Sequence, residues 1–433
     1  MDLLTVNDRP GVYPPSYYAD AAEHLDRFPA AAGNLECDVC VIGAGFTGLS
    51  TAYHLAQRGY DVVVLEAQRV GFGASGRNGG QVATGQRRDQ EDLEAMVGEP
   101  HARQLWEIGC QAVDLVRDLC ATNEVRTDFH SGIVHTVHRK RDYGHSRAYV
   151  DHMQGKYGYE KISLLDTDAC REIVNSTAYH GGTLDMGSGH VNPLELVLGL
   201  ARLAVKSGAR IFEGSKVEGI DEGDPAYVKT TQAKVKARYV VLGCNGYLGN
   251  MQKHVAARVM PINNFIVSTK PLEPEAQEQI IRNNYAVADG KFVVNYFRFS
   301  EDHRLLFGGT ESYGYKFPKD IAGAVRKPLT EIFPQLKGIK IDHAWGGTLG
   351  ITMNRMPHYE RIGGNIFTMS GFSGSGVALG TLSGQIAAEA VAGHAERFDI
   401  MAKVPTFPFP GGPKLRSPLL VLAMLWYSLR DKL

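Results

Sequence analysis

The 433-residue chain lacks a charge bias: 46 Lys and Arg stand against 47 Asp and Glu, a formal net charge of −1. No global basic field draws it to nucleic acid, so no such partner is expected. It lacks a basic segment followed by an apolar one at its start, where residues 1–15 are polar and proline-rich, so the expected location is cytoplasmic. It also lacks an apolar run of the roughly 20 residues that a membrane-spanning helix needs. The stretch 418–429 (PLLVLAMLWYSL) falls short of that length and is followed by Arg430 and Lys432. It suits a core-packed C-terminal helix or an interfacial anchor, so peripheral contact with the inner membrane through 418–429 stays open. Repeats and low-complexity tracts are absent as well.

Cysteine is scarce. Of six, only Cys37 and Cys40 form a CxxC, and no second CxxC or CxxH completes a ligand set, so no metal is expected. The pair opens a run, Cys40-Val41-Ile42, that reads as a strand, where an odd separation points the two side chains to opposite faces. Buried, reduced thiols are the expectation. The histidines, among them His130, His135 and His138, show no metal spacing with convergent acids and are read as surface or core.

What is present is ordinary in bulk, 44% apolar and 21% charged, and specific in one place. A strand at 38–42 leads into Gly43-Ala44-Gly45-Phe46-Thr47-Gly48, then a helix at 49–58 stopped by Gly59, then a strand at 61–65. Gly43 allows the tight turn, Gly45 lets backbone amides approach a pyrophosphate, and Gly48 lets the helix pack on the sheet. The helix aims its amides and partial positive charge at the phosphates. Glu66 closes the second strand about twenty residues on, where a ribose-hydroxyl acceptor belongs, and an acid there disfavours a 2′-phosphate. A glycine-rich loop, Gly73-Ala74-Ser75-Gly76-Arg77-Asn78-Gly79-Gly80, can wrap a second phosphate, with Arg77 to neutralise charge. A second turn, Gly371-Phe372-Ser373-Gly374-Ser375-Gly376, again precedes a helix, at 377–392. Cofactor contacts near both ends of the chain favour the long FAD over NAD.

Elsewhere, 91–120 reads as one helix. Asn192, Pro193 and Glu195 form an N-cap, first position and capping box for a helix ending near Gly208. Strands are expected at 210–213, 216–220, 239–242, 265–269, 291–299, 305–308 and 365–370. The fold class is therefore α/β, a Rossmann-like FAD-binding domain with a second, antiparallel-sheet substrate domain. The expected division is a lead-in at 1–36, an FAD-binding domain from 37–95, 185–255 and 345–392, a cap from 96–184 and 256–344, and a tail at 393–433.

The segments CDVCVIGAGFTGLSTAYHLAQRGYDVVVLEA (37–67), GASGRNGGQV (73–82), GHVNPLELVLGLARLAVKSGARIFEGSKV (189–217), VVLGCNG (240–246) and GGNIFTMSGFSGSGVALGTLSGQIAAE (363–389) carry a resemblance. The chain resembles the D-amino-acid oxidase-like superfamily of FAD-dependent amine oxidoreductases, with a GR2-type FAD domain. Within it the chain looks most like the bacterial γ-glutamylputrescine oxidase group, which L-pipecolate dehydrogenases also resemble. The resemblance implies that Glu66 and Ala67 meet the adenosine ribose, that Ser75, Arg77 and Asn78 contact phosphates, and that Gly79-Gly80-Gln81 lies by the isoalloxazine. It implies a backbone contact from Val217 to adenine and a cap from Gly371, Phe372, Ser373, Gly374, Gly376 and Val377 over the pyrimidine end of the flavin. Two departures stand out: members often read GxSGHG where this chain has Ser375, and no cysteine follows Cys244. Noncovalent FAD is expected, with a histidyl link at another site open.

The implied reaction is oxidation of a C–N bond with hydride passing to flavin N5, giving an imine that hydrolyses. The substrate is a small amine, with O2 as acceptor; a membrane-associated dehydrogenase of a secondary amino acid such as L-pipecolate, feeding quinone, is the alternative. Asn263, Asn264, Tyr296 and Arg298 lie on strands that would cover the ring, and Arg298 suits a carboxylate by chemistry. Met353 and Asn354, in the run 347–357, are expected at the substrate, with Arg355 a rival carboxylate partner. No catalytic base is named.

Overall fold

The computed structural model describes residues 2–411, so the apolar run at 418–429 lies outside the described residues. Near-continuous Val, Ile and Leu runs build a parallel sheet buried on both faces, as such runs require. Its parallel strands are, in spatial order, Arg210–Phe212, Val62–Leu65, Gly33–Ile42, Ala233–Leu242 and Ile366–Ser370, with His358–Ile362 antiparallel at one edge. Val217–Asp221 and Ala226–Thr230 extend it as an antiparallel hairpin on Ala233–Leu242. Val39 and Val41 pack against one layer of helices, Phe46–Ala56, Pro193–Lys206 and Ala378–Val391, while Cys40 and Ile42 pack with Val240 and Leu242 on the other face. The alternation breaks at Asp38, where the N–H groups of Asp38 and Val39 share Asp61 O. Cys37 therefore joins the same apolar cluster as Cys40, rather than the opposite face. Both thiols are free, and burial pushes Cys37 up to about 12.

The strand order reverses direction between Gly33–Ile42 and Ala233–Leu242, and both strands end in glycine, Gly43 and Gly243. A crevice at such a switch point is where open α/β sheets take ligands.

The second sheet runs Ile341–Ile351, Met260–Thr269, Leu305–Ser312, Tyr296–Phe299, Ala286–Asp289, His130–Thr136, Gly182–His190 and Gln81–Val82. It is antiparallel except where Ala286–Asp289 meets His130–Thr136. The expected divisions at 184/185 and 344/345 fall inside two of these strands, Gly182–His190 and Ile341–Ile351.

Local departures have local causes. The expected 91–120 helix is two, Gln90–Val97 and Glu99–Cys120, because Gly98 at φ +82° interrupts it. The expected 291–299 strand shrinks to Tyr296–Phe299, because the Asp289 carboxylate accepts from Lys291 N (3.2 Å) and Asn295 N (2.9 Å) and folds the intervening residues into a loop. The Pro193–Lys206 helix is capped by Asn192 Oδ1, which accepts from Leu194 N and Glu195 N. The capping box is only half made: Glu195 accepts from Glu23 N instead, and Asn192 N donates to Thr127 Oγ1.

Candidate active site

The turn after Gly33–Ile42 is closed to side chains. A Cβ on Gly48 would stand 1.9 Å from Gly43 O, and one on Gly45 would stand 2.7 Å from Ser75 Oγ. Ser75 Oγ accepts from Phe46 N (3.0 Å), and Thr47 Oγ1 donates to Gly380 O (2.9 Å), tying the turn to the loop at 73–80 and to the Ala378–Val391 helix. Glu66 is buried at the next strand end, and its carboxylate accepts from Ala44 N and Gln68 N at 2.8 Å and from Ala67 N. Burial raises its pKa and those amides lower it. Val217 is buried where its strand begins, opposite Thr230. A backbone cradle that excludes even a methyl group, with a fixed carboxylate beside it, fits the adenosine-diphosphate half of FAD.

The loop at 73–81 departs from the expected roles. The Arg77 guanidinium is buried: Nε donates to Phe72 O (2.6 Å), one terminal nitrogen pairs with Asp8 (2.8 Å), and the group lies 4.5 Å from the Phe72 ring centre. One terminal nitrogen is thus paired with Asp8, the other is buried without a hydrogen-bond partner, and Arg77 stands on the wall of the cavity between this loop and the second sheet. Asn78 is committed: Nδ2 donates to Ala74 O and Ser75 O, and Oδ1 accepts from Gly80 N. Gly80 is pressed against Val191 O, 2.1 Å from a would-be Cβ, and Gly79 against the Tyr296 ring. Gln81 Nε2 donates to Val287 O (2.8 Å).

The second turn is fixed by its neighbours. Gly371 N donates to Asn245 Oδ1 (2.8 Å), Phe372 bridges to Ile351, and Ser373 N donates to Gly350 O (3.0 Å). Gly376 rests on the Phe372 side chain, and Val377 is the N-cap of Ala378–Val391.

Between these loops and the second sheet lies a cavity of about 530 Å³. Asn78, Gly79 and Gln81 wall it on one side, Ser373, Gly374 and Val377 on another, and Trp106, Tyr149 and Tyr159 at a third. Tyr296 reaches it and donates to Asn264 Oδ1 (2.5 Å); burial raises the phenol's pKa, so it stays a proton donor. Arg298 does not reach it. Its guanidinium donates to Gly79 O (2.8 Å), Val191 O (2.9 Å), Phe299 O (3.0 Å) and Tyr18 OH (3.3 Å), which overturns the carboxylate role. Met353 is 49% exposed and outside the cavity wall. Asn354 is turned to Pro405 O (2.7 Å) and Met356 N. Both sit in the turn after Ile341–Ile351, whose geometry points them outward and leaves Arg355 (φ +67°) facing in. Asn263 is buried away from the cavity on Gly314 O and Thr348 Oγ1.

Sequence reasoning missed Arg87, Glu311, His135 and Asp185, all on the wall. Arg87 follows the glycine loop closely, a signal that was there to read. Glu311 was hidden by a β-bulge: Ile266 pairs with Gly308 but Asn264 pairs with Glu311, so two residues oppose one. The extra residue shifts the side-chain phase and puts Glu311 beside Asn264. Burial raises its pKa, against the lowering effect of Arg355, Tyr313 and Arg87. Among the described residues no His, Cys, Asp and Glu cluster could hold a metal, and no helix is long and apolar enough to cross a membrane.

Comparison with known proteins agrees with this geometry. The family model described as FAD dependent oxidoreductase (DAO) matches residues 38–390. Gamma-glutamylputrescine oxidoreductase of Escherichia coli (strain K12) is 39% identical, over 96% of this chain and 98% of that protein. L-proline dehydrogenase from P. horikoshii shares the fold at TM-score 0.71 and 21% identity, covering 86% of this chain and 96% of the other. Glycine oxidase from Geobacillus kaustophilus shares it at TM-score 0.70 and 19% identity, covering 83% and 95%. The chain belongs to the FAD-dependent oxidoreductase family of D-amino-acid-oxidase type, an enzyme with FAD as its cofactor that oxidises amines.

Proposed function

We propose that the substrate is an elongated amine of the γ-glutamylputrescine kind, an oxidisable amine at one end and a carboxylate at the other, with O2 as the acceptor. The observation that carries this is the cavity itself. It continues from the flavin loops well past them, to Trp106, Tyr149 and Tyr159, which is more room than an amino acid the size of glycine needs. Two guanidinium groups on its wall are uncommitted to any carboxylate hydrogen bond. The Arg355 guanidinium lies 5.6 Å from the Phe292 ring centre and makes no hydrogen bond or ion pair among the described residues, and that of Arg87 makes only Nε to Ser373 O (3.1 Å). An unpaired guanidinium facing a cavity is matched to a ligand carboxylate, which it can hold with two parallel hydrogen bonds. The extent of likeness to the gamma-glutamylputrescine oxidoreductase, across almost the full length of both chains, supports the same substrate class.

FAD, when bound, supplies the acceptor for the hydride that leaves the carbon next to nitrogen. The chain's part is placement. Tyr296 and Asn264 form a fixed polar edge next to Gly79. Arg87 orients the carboxylate, and the aromatic far wall encloses the methylene chain. The absence of a cysteine after Cys244 supports noncovalent FAD.

The test is anaerobic mixing of the holoprotein with γ-glutamylputrescine, putrescine, pipecolate, sarcosine and glycine, following the flavin absorbance. γ-Glutamylputrescine is expected to bleach it fastest, with one peroxide per turnover in air and all yellow colour in the supernatant after acid denaturation. Bleaching by none of the five, or by pipecolate alone without peroxide, overturns the reading.

A further inference from the structure

Four carboxylates stand on the cavity wall; Asp185 and Asp289 are spent, and Asp89 is 53% exposed. Asp185 accepts from Thr84 Oγ1 (2.7 Å), Gly187 N (2.9 Å), Tyr159 OH and Ser188 Oγ. Asp289 is filled by Lys291 N, Asn295 N and Asn295 Nδ2. Asp89 lies at the start of the Gln90–Val97 helix and pairs with His145. Glu311 differs. Its only hydrogen bond among the described residues is a long one, from Tyr313 OH to Oε2 (3.2 Å). Its other oxygen is open to the cavity.

Its place is also the reacting end. Glu311 is the cross-strand partner of Asn264, which holds Tyr296 OH, and Tyr296 lies on Gly79. Arg355 and Arg87 approach from the side of the second flavin turn, where Arg87 bonds Ser373 O. The bulge that aims Glu311 inward keeps Thr310 at φ +76°. A β-branched residue is strained there, and such strain persists where the surrounding structure imposes it. Charged and titratable groups facing Glu311 are Arg355, Arg87, Tyr313 and Tyr296.

We propose that Glu311 binds the substrate's ammonium group and takes its proton, making it a catalytic base of the amine oxidation. The balance is simple: the carboxylate accepts one proton from R–NH3+, leaving Glu311 as the neutral acid and the substrate as R–NH2. The nitrogen lone pair is then free to form the C=N bond as the neighbouring carbon gives up hydride. An ammonium nitrogen has no such pair, so the proton must leave first. Burial raises the pKa of Glu311, and Arg355, Tyr313 and Arg87 oppose that rise.

This rests on the proposed amine substrate, and the test separates the two. The probe is tert-butylammonium, which has no hydrogen on the carbon next to nitrogen and is not oxidised. Its binding to the holoprotein is read from the perturbed flavin spectrum between pH 5 and 9, where the probe stays protonated. Wild type is expected to lose affinity at least tenfold toward the acid end. Glu311→Gln is expected to bind at least tenfold more weakly at pH 8 and to show no pH dependence. With γ-glutamylputrescine, anaerobic flavin bleaching is expected to slow at least 100-fold in Glu311→Gln and to recover partly in Glu311→Asp. Equal binding and bleaching within threefold in Glu311→Gln, at equal flavin content, overturns the inference. If that variant loses flavin, a pH-independent affinity in wild type overturns it instead. If no amine bleaches wild type, the substrate reading fails while the tert-butylammonium titration still decides the role of Glu311.

Discussion

Replacing Arg298 by Met separates a structural guanidinium from a substrate clamp. The side chain is 5% exposed and joins four segments: Gly79 beside the flavin loop, Val191 at the end of Gly182–His190, Phe299 on its own strand, and Tyr18 in the Tyr17–Ala21 helix. Methionine retains much of the stem and leaves three buried carbonyls without this donor. Each orphaned acceptor costs about 1–3 kcal/mol. A cavity of about 20 Å³ borders Arg298, Val191 and Phe299, enough for one water, which holds the cost toward the low end. Removing a buried charge with no carboxylate partner among the described residues offsets a little more. The expected loss is about 3–4 kcal/mol. At about 2 °C per kcal/mol for a large domain, Tm falls by about 6–8 °C. Differential scanning calorimetry of the holoprotein reads this, alongside flavin content, which is expected to drop because Gly79 loses its anchor. KM for γ-glutamylputrescine, measured on flavin-loaded enzyme, is expected to stay within threefold. An unchanged Tm with KM raised tenfold or more would refute the reasoning and return Arg298 to the substrate.

Two further outcomes follow from packing and protonation. Gly48→Ala is expected to lose nearly all bound flavin, because its Cβ would meet Gly43 O at 1.9 Å, whereas Gly45→Ala meets only the movable Ser75 Oγ at 2.7 Å and should keep part of it; absorbance ratios of the purified variants check both. His54 is buried, donates Nδ1–H to Ser50 O (2.8 Å), and is pushed down to about 4 by burial. The unfolded chain takes up that proton near pH 6.5 and the folded one only near 4, so about 3 kcal/mol of stability from this residue is lost as the pH is lowered through this window. Urea midpoints at pH 7 and pH 4.5 should converge in His54→Gln relative to wild type; an undiminished difference refutes it.

The signals legible in the sequence are local ones. Gly43, Gly48 and Glu66 were legible because a turn, a close helix approach and a strand-end carboxylate each demand a particular residue within a few positions. The Pro193–Lys206 helix was legible from its own cap for the same reason, yet the fate of Glu195 was not, since its partner Glu23 is 172 residues away. Arg77 and Arg298 read as anion ligands because guanidinium chemistry suits anions. Their true partners, Asp8 and the carbonyls of Gly79 and Val191, come from distant segments. Met353 and Asn354 stand two and one residues before the residue that faces in, Arg355, because the direction of the turn after Ile341–Ile351 is set by contacts with Pro405 and Met356.

The sequence alone thus determined the strand–turn–helix unit and the cofactor it suits, both of which depend on spacing within one or two turns of chain. Tertiary structure decided which charged groups remain available. Arg87, Arg355 and Glu311 stay open to the cavity, while Arg298 and Asp185 are held by neighbours. Whether a buried charge is free or spent depends on what folds against it, and for Glu311 on a single inserted residue in the strand that carries it.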